Sequence, residues 1–233
     1  MKHFSKVYAI IPARGGSKGL KNKNIKELAG KSLIEYSIEA ALKCSYISRV
    51  IVSTEDLKIK QISQNCGAEV FDRPFELASD TAKTSDVVLH VLEKFQQEND
   101  CPEYIALLQP TSPMRTSDHL LSCIEAFFES DSACAISVTE SEDHPYKSFI
   151  IENEILEPLF DIKYLESPRQ TLPKTFRPNG AIFLISSELF LEKKVFYVSP
   201  AMPFYMSNET SVDIDTEFDF FMVESMLKQL KYN

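Results

Sequence analysis

Three of the six glycines in the sequence fall within one short stretch, the segment RGGSKG at residues 14–19. The stretch follows an apolar run, residues 7–11, that is typical of a buried parallel strand. Glycines let backbone N–H groups approach phosphate oxygens closely, and Arg14 and Lys18 add positive charge. The segment matches neither the P-loop nor the dinucleotide-binding fingerprint. It predicts a different phosphate-binding turn, and the alternative is an ordinary strand-to-helix turn with solvated lysines.

Two aspartates in the last part of the sequence form a second group that could do chemistry. Asp213 and Asp215 flank Ile214, so a strand here would direct both carboxylates to one face and the isoleucine into the core. Two carboxylates opposite a triphosphate would suit Mg²⁺, which takes one or two carboxylates together with phosphate oxygens and water. Alternatively, Asp215 caps the final helix. Capping would explain one aspartate and not its neighbour, so both interpretations stay open.

Three further polar residues could contact a ligand. Gln109 directly follows a predicted strand at residues 104–108, so we expect it at the same sheet edge as the glycine-rich turn. Arg169 and Arg177 bracket a proline-rich segment, and an arginine fork matches a carboxylate in bidentate fashion. Taken alone, a proline-rich turn and two surface arginines would also explain these residues. The four histidines are scattered without ligand spacing, so we assign them no catalytic role.

Alternating apolar runs and amphipathic stretches must position these residues. Strands are predicted at 7–11, 50–52, 68–71, 104–108 and 133–138, and helices at 32–43, 56–65, 84–97 and 118–128. This order predicts an α/β fold with a mostly parallel sheet and helices on both faces. Five prolines interrupt residues 141–178, which we interpret as an inserted arm. A strand at 181–185 and a helix at 217–230 follow, so a single domain over residues 1–233 is predicted.

Bulk properties exclude several functional classes. The net charge of -9 argues against nonspecific nucleic-acid binding, which needs a basic face. Five cysteines without metal-ligand spacing indicate free thiols in a reducing compartment. No apolar run in the sequence is long enough to span a membrane. We therefore expect a soluble, cytoplasmic protein that interacts with small molecules.

Seven short motifs are spread over nearly the whole chain: IPARGGSKG, KNKNI, RPFELASDTAKTSD, LLQPTSPMR, PRQ, FRPNGAIF and SVDIDTEFD. They resemble, in the same order, the motifs of the CMP-sialic acid synthetases, or acylneuraminate cytidylyltransferases. Each motif alone is weakly specific, whereas the ordered set is highly specific. The resemblance implies a Rossmann-like nucleotidyltransferase fold, a homodimer in which the arm crosses to the partner subunit, and Mg²⁺, or Mn²⁺ in its place, as cofactor.

The resemblance also implies roles for individual residues. Arg14, Lys18 and Asp213 would be catalytic. Two K-N pairs, at 21–22 and 23–24, compete for one nucleotide contact, and we choose Lys23 and Asn24 because they precede the apolar Ile25. The sugar would be bound by Gln109, Arg169 and Arg177, the metal by Asp213 and Asp215, and the nucleotide by Arg14, Gly15, Gly16, Ser17, Lys18, Lys23, Asn24, Arg73, Asp80 and Thr84.

The reaction implied is transfer of CMP from CTP to a nonulosonic acid. The C2 hydroxyl of the sugar acid would attack the α-phosphate and expel pyrophosphate, with catalysis mainly by positioning and charge neutralisation. The residue that takes the hydroxyl proton is not identified. N-acetylneuraminic, legionaminic and pseudaminic acids remain alternatives as acceptors, while the arm motifs speak against Kdo. A homologue that binds nucleotide without turnover is the remaining alternative.

Overall fold

The apolar runs of the sequence form strands in the computed structural model, which describes residues 6–17 and 19–232. The six central-sheet strands predicted from the sequence lie within five residues of their predicted bounds, β11 was not predicted, and the final helix begins at the predicted residue. The strands are β1 (Val7–Pro12), β2 (Glu27–Leu28), β3 (Lys31–Ser32), β4 (Ile47–Thr54), β5 (Glu69–Asp72), β6 (Tyr104–Leu107), β7 (Cys134–Glu140), β8 (Phe149–Glu152), β9 (Ile155–Pro158), β10 (Phe176–Ser186) and β11 (Ala201–Tyr205).

Seven of these strands form the central sheet, in the order β11-β7-β10-β6-β1-β4-β5. The pairs β1–β4, β1–β6, β4–β5 and β7–β11 are parallel, whereas β10 runs antiparallel to both of its neighbours, β6 and β7. The prediction of a mostly parallel sheet is therefore confirmed, with one reversed strand. The pairing of β10 with β7 shifts register between Pro178 and Phe183.

Seven helices cover the sheet or flank it in the described part of the chain. Local capping explains where several begin: the Asp56 carboxylate accepts hydrogen bonds from the backbone N–H groups of Lys58 and Ile59 at the start of the second helix. The helices are α1 (Leu33–Lys43), α2 (Leu57–Asn65), α3 (Thr84–Gln97), α4 (Ser117–Phe128), α5 (Lys163–Glu166), α6 (Ser187–Lys193) and α7 (Glu217–Tyr232).

The core lies on both faces of the sheet. Alternate residues of β1 point to opposite faces, as a strand requires: Ala9 packs with α1, α2 and α4, while Ile10 packs with α3 and α6. A third apolar cluster joins α7 to the start of α1 and contains the fully buried Ile214. This third cluster anchors the segment that carries the two aspartates.

The inserted segment leaves the sheet at the end of β7 and returns at the start of β10. It contains the β8–β9 hairpin, whose strands pair only with each other among the described residues, and the short helix α5. Tyr146 forms its small centre, with rings of Phe160 and Tyr164 each 4.7 Å away between centroids. The predicted end at residue 178 is too late, because residues 176–178 already pair with β7.

Two expectations from composition can be compared with the structure. All five cysteines are described, and each is a free thiol. None of the helices in the described ranges has the length and apolar character needed to cross a membrane.

Candidate active site

A cleft of about 470 Å³ opens beyond the carboxyl ends of β1 and β6. Ligands of open α/β sheets bind at such an edge. Residues from four separate parts of the sequence meet there. Ten of the predicted site residues line it: Arg14, Ser17, Lys23, Asn24, Arg73, Asp80, Thr84, Gln109, Asp213 and Asp215.

The glycine-rich turn forms one wall of the cleft and touches the aspartate segment directly. A Cβ atom on Gly19 would lie 2.7 Å from the backbone oxygen of Asp215, so only glycine allows this approach. Gly15 donates its backbone N–H to Glu55 Oε1 at 2.7 Å, and an adjoining cavity is lined by Gly15 and Gly16. A backbone N–H of this turn, that of Gly15, therefore already binds a carboxylate of the protein, that of Glu55. Lys18 lies outside the described residues.

Two arginines give this acidic protein a local positive charge. Arg14 pairs with Asp80, with 2.9 Å between Nη2 and Oδ1. Arg73 is buried beneath, and its guanidinium donates to the hydroxyl and the backbone oxygen of Ser53. Burial lowers the pKa of Arg73 to about 10, which leaves it charged at neutral pH. Both guanidinium groups border the cleft, so an anionic ligand would meet fixed positive charge there.

The second of the two K-N pairs faces the cleft. Lys23 donates to the backbone oxygen of Ile214 and to Asp215 Oδ1, each at 2.8 Å. Asn24 is buried and donates its side-chain amide to the backbone oxygen of Arg14 at 2.9 Å. Lys21 is exposed and does not line the cleft. The geometry thus agrees with the choice of Lys23 and Asn24.

The aspartate segment forms neither the strand nor the helix cap considered from the sequence. Residues 212–215 belong to no strand, and the backbone N–H of Ile214 donates instead to the backbone oxygen of Thr111. Capping by Asp215 is also wrong, because the Thr216 hydroxyl accepts from the backbone N–H of Asp219, and the Asp219 carboxylate accepts from the N–H of Thr216. Asp215 is therefore left for the cleft.

The two aspartates have different surroundings. Asp213 Oδ1 is buried and has no hydrogen-bond partner among the described residues. Burial raises the pKa of Asp213 above its ordinary value. Asp215 is exposed and ion-paired with Lys23. An orphaned carboxylate oxygen is costly unless a ligand completes it.

The carboxylates of Asp213 and Asp215 fit a magnesium ion that substrate and water help to bind, rather than a metal bound by protein ligands alone. The described residues contain no cluster of three or more His, Cys, Asp or Glu side chains that could hold a metal. Two carboxylates near the glycine-rich turn match the preference of Mg²⁺ for one or two carboxylates with substrate phosphates and water. Asp213 and Asp215 are the residues that would hold it.

Gln109 lines the cleft, and the end of its side chain lies next to the backbone of Gly180. Its Oε1 atom lies 2.4 Å from the place where a Cβ on Gly180 would be, and Gly180 has φ of +75°. No side chain other than hydrogen fits that position without displacing the glutamine. The backbone oxygen of Gln109 accepts hydrogen bonds from Ser37 and Arg115.

The two predicted sugar-binding arginines are not brought into the cleft of the single chain. Arg169 donates to the backbone oxygen of Ser141 at 2.9 Å and lines a separate cavity at the base of the arm, next to His144. Arg177 is exposed on β10, and its charge opposes the rise in the pKa of Asp213 to a small extent.

The sequence analysis overlooked a buried polar network beneath this site. Arg115, Asn179, Ser112 and Ser211 are all buried, and Asn179 donates to Ser211 Oγ at 2.8 Å. Arg115 ends the motif LLQPTSPMR and Asn179 lies in FRPNGAIF, yet both motifs were interpreted only through Gln109 and Arg177. A charged residue inside a motif otherwise made of apolar and turn residues was the available signal for Arg115.

The chain is similar in sequence to known nucleotidyltransferases. The chain is 36% identical over 93% of its length to the N-acylneuraminate cytidylyltransferase of Escherichia coli, and it spans about half the length of that relative, 51%. It is 32% identical to the CMP-N,N'-diacetyllegionaminic acid synthase of Legionella pneumophila, over 96% of this chain and 97% of that one.

The fold also has solved counterparts. A CMP:2-keto-3-deoxy-manno-octonic acid synthetase complexed with CTP superposes with a TM-score of 0.73 over 97% of this chain and 99% of that one, at 18% identity. This likeness shows a shared fold. The sequence model of the cytidylyltransferases matches residues 8–217, which contain the glycine-rich turn, Gln109 and both aspartates. This chain therefore belongs to the cytidylyltransferase family.

Proposed function

We propose that the protein transfers CMP from CTP to the C2 hydroxyl of a nonulosonic acid and releases pyrophosphate. One observation carries the proposal: the glycine-rich turn and the aspartate segment meet within one cleft, where Gly19 abuts the backbone of Asp215. A phosphate-binding wall next to a pair of carboxylates suits a triphosphate bound with a divalent cation. The names of the E. coli and Legionella relatives support CMP transfer to a sialic-type acid.

The basic wall would bind the triphosphate of CTP. Arg14 and Arg73 border the cleft, and Arg14 would stabilise the charge that builds on the departing pyrophosphate. Lys23 at present neutralises Asp215, so an arriving triphosphate offers it a second anionic partner. Lys18 keeps its predicted role at the same phosphates.

The acidic wall would hold the cation. Asp213 and Asp215 are its proposed ligands, because one buried carboxylate oxygen lacks a partner among the described residues and the other carboxylate is accessible. When bound there, Mg²⁺ supplies neutralisation of charge at the α-phosphate. The fixed backbone of Ile214, held by Thr111, keeps the two carboxylates in place before any ligand arrives.

The acceptor sugar would lie on the Gln109 side, with Arg169 and Arg177 for its carboxylate. Because both arginines lie outside the cleft of one chain, we infer a homodimer in which the arm crosses to the partner and completes a site. The exposed apolar side chains of the arm support this, since a solvated patch of that kind marks an interface. They include Phe149, Ile150, Ile151, Ile155 and Leu156.

A charge on the arm hairpin is therefore expected to weaken the dimer. Ile151→Asp places a carboxylate among exposed apolar neighbours that a partner would bury, and burial of an unpaired charge is costly. We expect the dissociation constant to rise about 100-fold or more, an effect of about 3 kcal/mol, measured by sedimentation equilibrium. Leu57→Asp, on the exposed start of α2, is the matched control and should leave the mass unchanged. A variant Ile151→Asp that stays fully dimeric would contradict the arm interface.

A panel of substrates tests the activity itself. Pyrophosphate release would be measured with CTP, UTP, ATP and GTP against N-acetylneuraminic, diacetyllegionaminic, pseudaminic and Kdo acids. We expect release with CTP and a nonulosonic acid, and much less with Kdo. Absence of release in every combination would favour the alternative of a nucleotide-binding homologue without turnover.

One observation favours a second candidate for the acceptor. The Legionella relative, at 32% identity, is named for diacetyllegionaminic acid. This acid is therefore an acceptor to compare with N-acetylneuraminic acid. The ratio of kcat/KM for the two sugars decides between them.

A further inference from the structure

The geometry points to Arg115 as a positioning residue that holds Gln109 in place for the acceptor sugar. This inference rests on the proposed function, because Gln109 is assigned to the sugar there. Arg115 is buried below the cleft and does not line it. It would therefore act through Gln109 rather than on a substrate.

One nitrogen of the Arg115 guanidinium bridges the backbone of Gln109 and the backbone of β10 next to Gly180. Nη1 donates to the backbone oxygen of Gln109 at 3.2 Å and to that of Ala181 at 2.8 Å. Gly180, the neighbour of Ala181, is the residue against which Gln109 Oε1 lies. A shift of Arg115 would therefore change the gap into which the glutamine amide fits.

The second terminal nitrogen ties this bridge to α1. Nη2 donates to the Ser37 hydroxyl at 2.5 Å, and that hydroxyl lies 3.4 Å from the backbone oxygen of Gln109. The backbone oxygen of Gln109 thus contacts the guanidinium of Arg115 directly and also through the Ser37 hydroxyl. Three chain segments are fixed by a single planar group, which is the geometric advantage of arginine over lysine.

The irregularity of β10 explains why a donor is needed at this place. Pairing of β10 with β7 stops at Pro178 and resumes at Phe183, and pairing with β6 begins only at Phe183. The fully buried backbone of Ala181 lies within this interruption. A buried carbonyl without a partner would destabilise the fold, so Arg115 supplies a hydrogen bond that the sheet does not provide.

Burying the positive charge of Arg115 costs free energy, so filling space in the core does not by itself explain why an arginine is here. Arg115 has no ion pair with a carboxylate among the described residues, and its Nε is buried without a partner. Burial lowers the pKa of Arg115 to about 9. An apolar side chain would fill the same space at lower cost in free energy. The arginine instead provides several hydrogen-bond donors in a fixed planar arrangement, which an apolar side chain lacks.

A double-mutant cycle tests the inference. Arg115→Lys keeps a positive charge but removes the planar bridge, and we expect the KM for the sugar acid to rise about tenfold while the KM for CTP changes less than about twofold. In the Gln109→Ala background, Arg115→Lys should add no further loss, because residues that act through one another are not additive. Full additivity, or an equal rise in both KM values, would overturn the proposal.

Two further variants keep the test decisive. Arg49→Lys, a half-buried arginine in a salt-bridge network at the opposite sheet edge, should leave the KM for the sugar unchanged. If Arg115→Lys fails to fold, Ser37→Ala removes one acceptor of the guanidinium and should raise that KM about two- to fivefold. An unchanged KM in Ser37→Ala would then overturn the role of Arg115.

The test separates this inference from the proposed function. If the wild-type protein transfers no CMP to any acceptor, the function fails and turnover no longer reports on Arg115. The side-chain amide signal of Gln109 in a ¹⁵N NMR spectrum, assigned by its loss in Gln109→Glu, then gives the answer. We expect this signal to move in Arg115→Lys and not in Arg49→Lys. A signal that stays in place would overturn the inference whatever the enzyme does.

Discussion

Asp213→Asn is expected to lower kcat about 10²- to 10³-fold, because it removes a charge that would hold the cation at the α-phosphate. The change preserves the shape of the side chain and replaces a buried carboxylate by a neutral amide. A neutral amide is less costly to bury than a charge, so the thermal midpoint without Mg²⁺ and CTP should at least equal that of the wild type. Pyrophosphate release and thermal unfolding measure the two effects.

Two comparisons make this result specific to the metal. The increase in thermal midpoint on adding CTP with Mg²⁺ should be much smaller in Asp213→Asn than in the wild type. Asp100→Asn changes an aspartate that pairs with Lys6 and Arg49 at the opposite edge of the sheet instead. It should leave kcat within about twofold and lower stability slightly. Near-normal turnover by Asp213→Asn at low Mg²⁺ would show that Asp213 is not a metal ligand.

Arg14→Met should produce the second largest loss, about 10²-fold in kcat with a raised KM for CTP. The guanidinium borders the cleft and is held by Asp80 at 2.9 Å. Removal of a fixed positive group that faces developing charge on pyrophosphate typically has an effect of this size. Steady-state kinetics with CTP varied at saturating sugar measure both constants.

The orientation of Arg14 can be tested separately from its charge. Arg14→Lys keeps the charge and loses the planar fork, so we expect an intermediate loss. Asp80→Asn leaves Arg14 intact but weakens its orientation, and a loss of about tenfold or less is expected. A full rate in Arg14→Met would remove Arg14 from the triphosphate site, and the KM for the sugar serves as the internal control.

Periodicity predicted the parts of this fold that are decided locally. The helix Thr84–Gln97 has the predicted bounds because its apolar residues recur on one face and pack beneath the sheet. The glycine-rich turn and Gln109 could be assigned to one edge because parallel strands bring their carboxyl ends together. That argument needed only the order of strands and helices.

Long-range geometry decided what the sequence analysis did not predict. An apolar run such as residues 181–185 carries no information about strand direction, so the reversal of β10 was not predicted. Asp215 was considered as the cap of α7 from its position alone, whereas Thr216 and Asp219 form the cap in the structure. Arg115 was not predicted as buried because arginine is mostly exposed in proteins, and its acceptors on α1, after β6 and in β10 come together only in the folded chain.

The reversed strand has a consequence for how such a protein can diversify. Phe176 pairs with Glu140 in antiparallel fashion, so β7, the inserted segment and β10 form a hairpin whose loop has grown. Lengthening a loop is cheap, since each doubling costs only about 0.6 kcal/mol. The inserted segment, which would contact the acceptor, can therefore change in length and sequence while β7 and β10 stay paired. Selection for a new sugar could alter this segment and leave unchanged the half of the molecule that would bind the nucleotide.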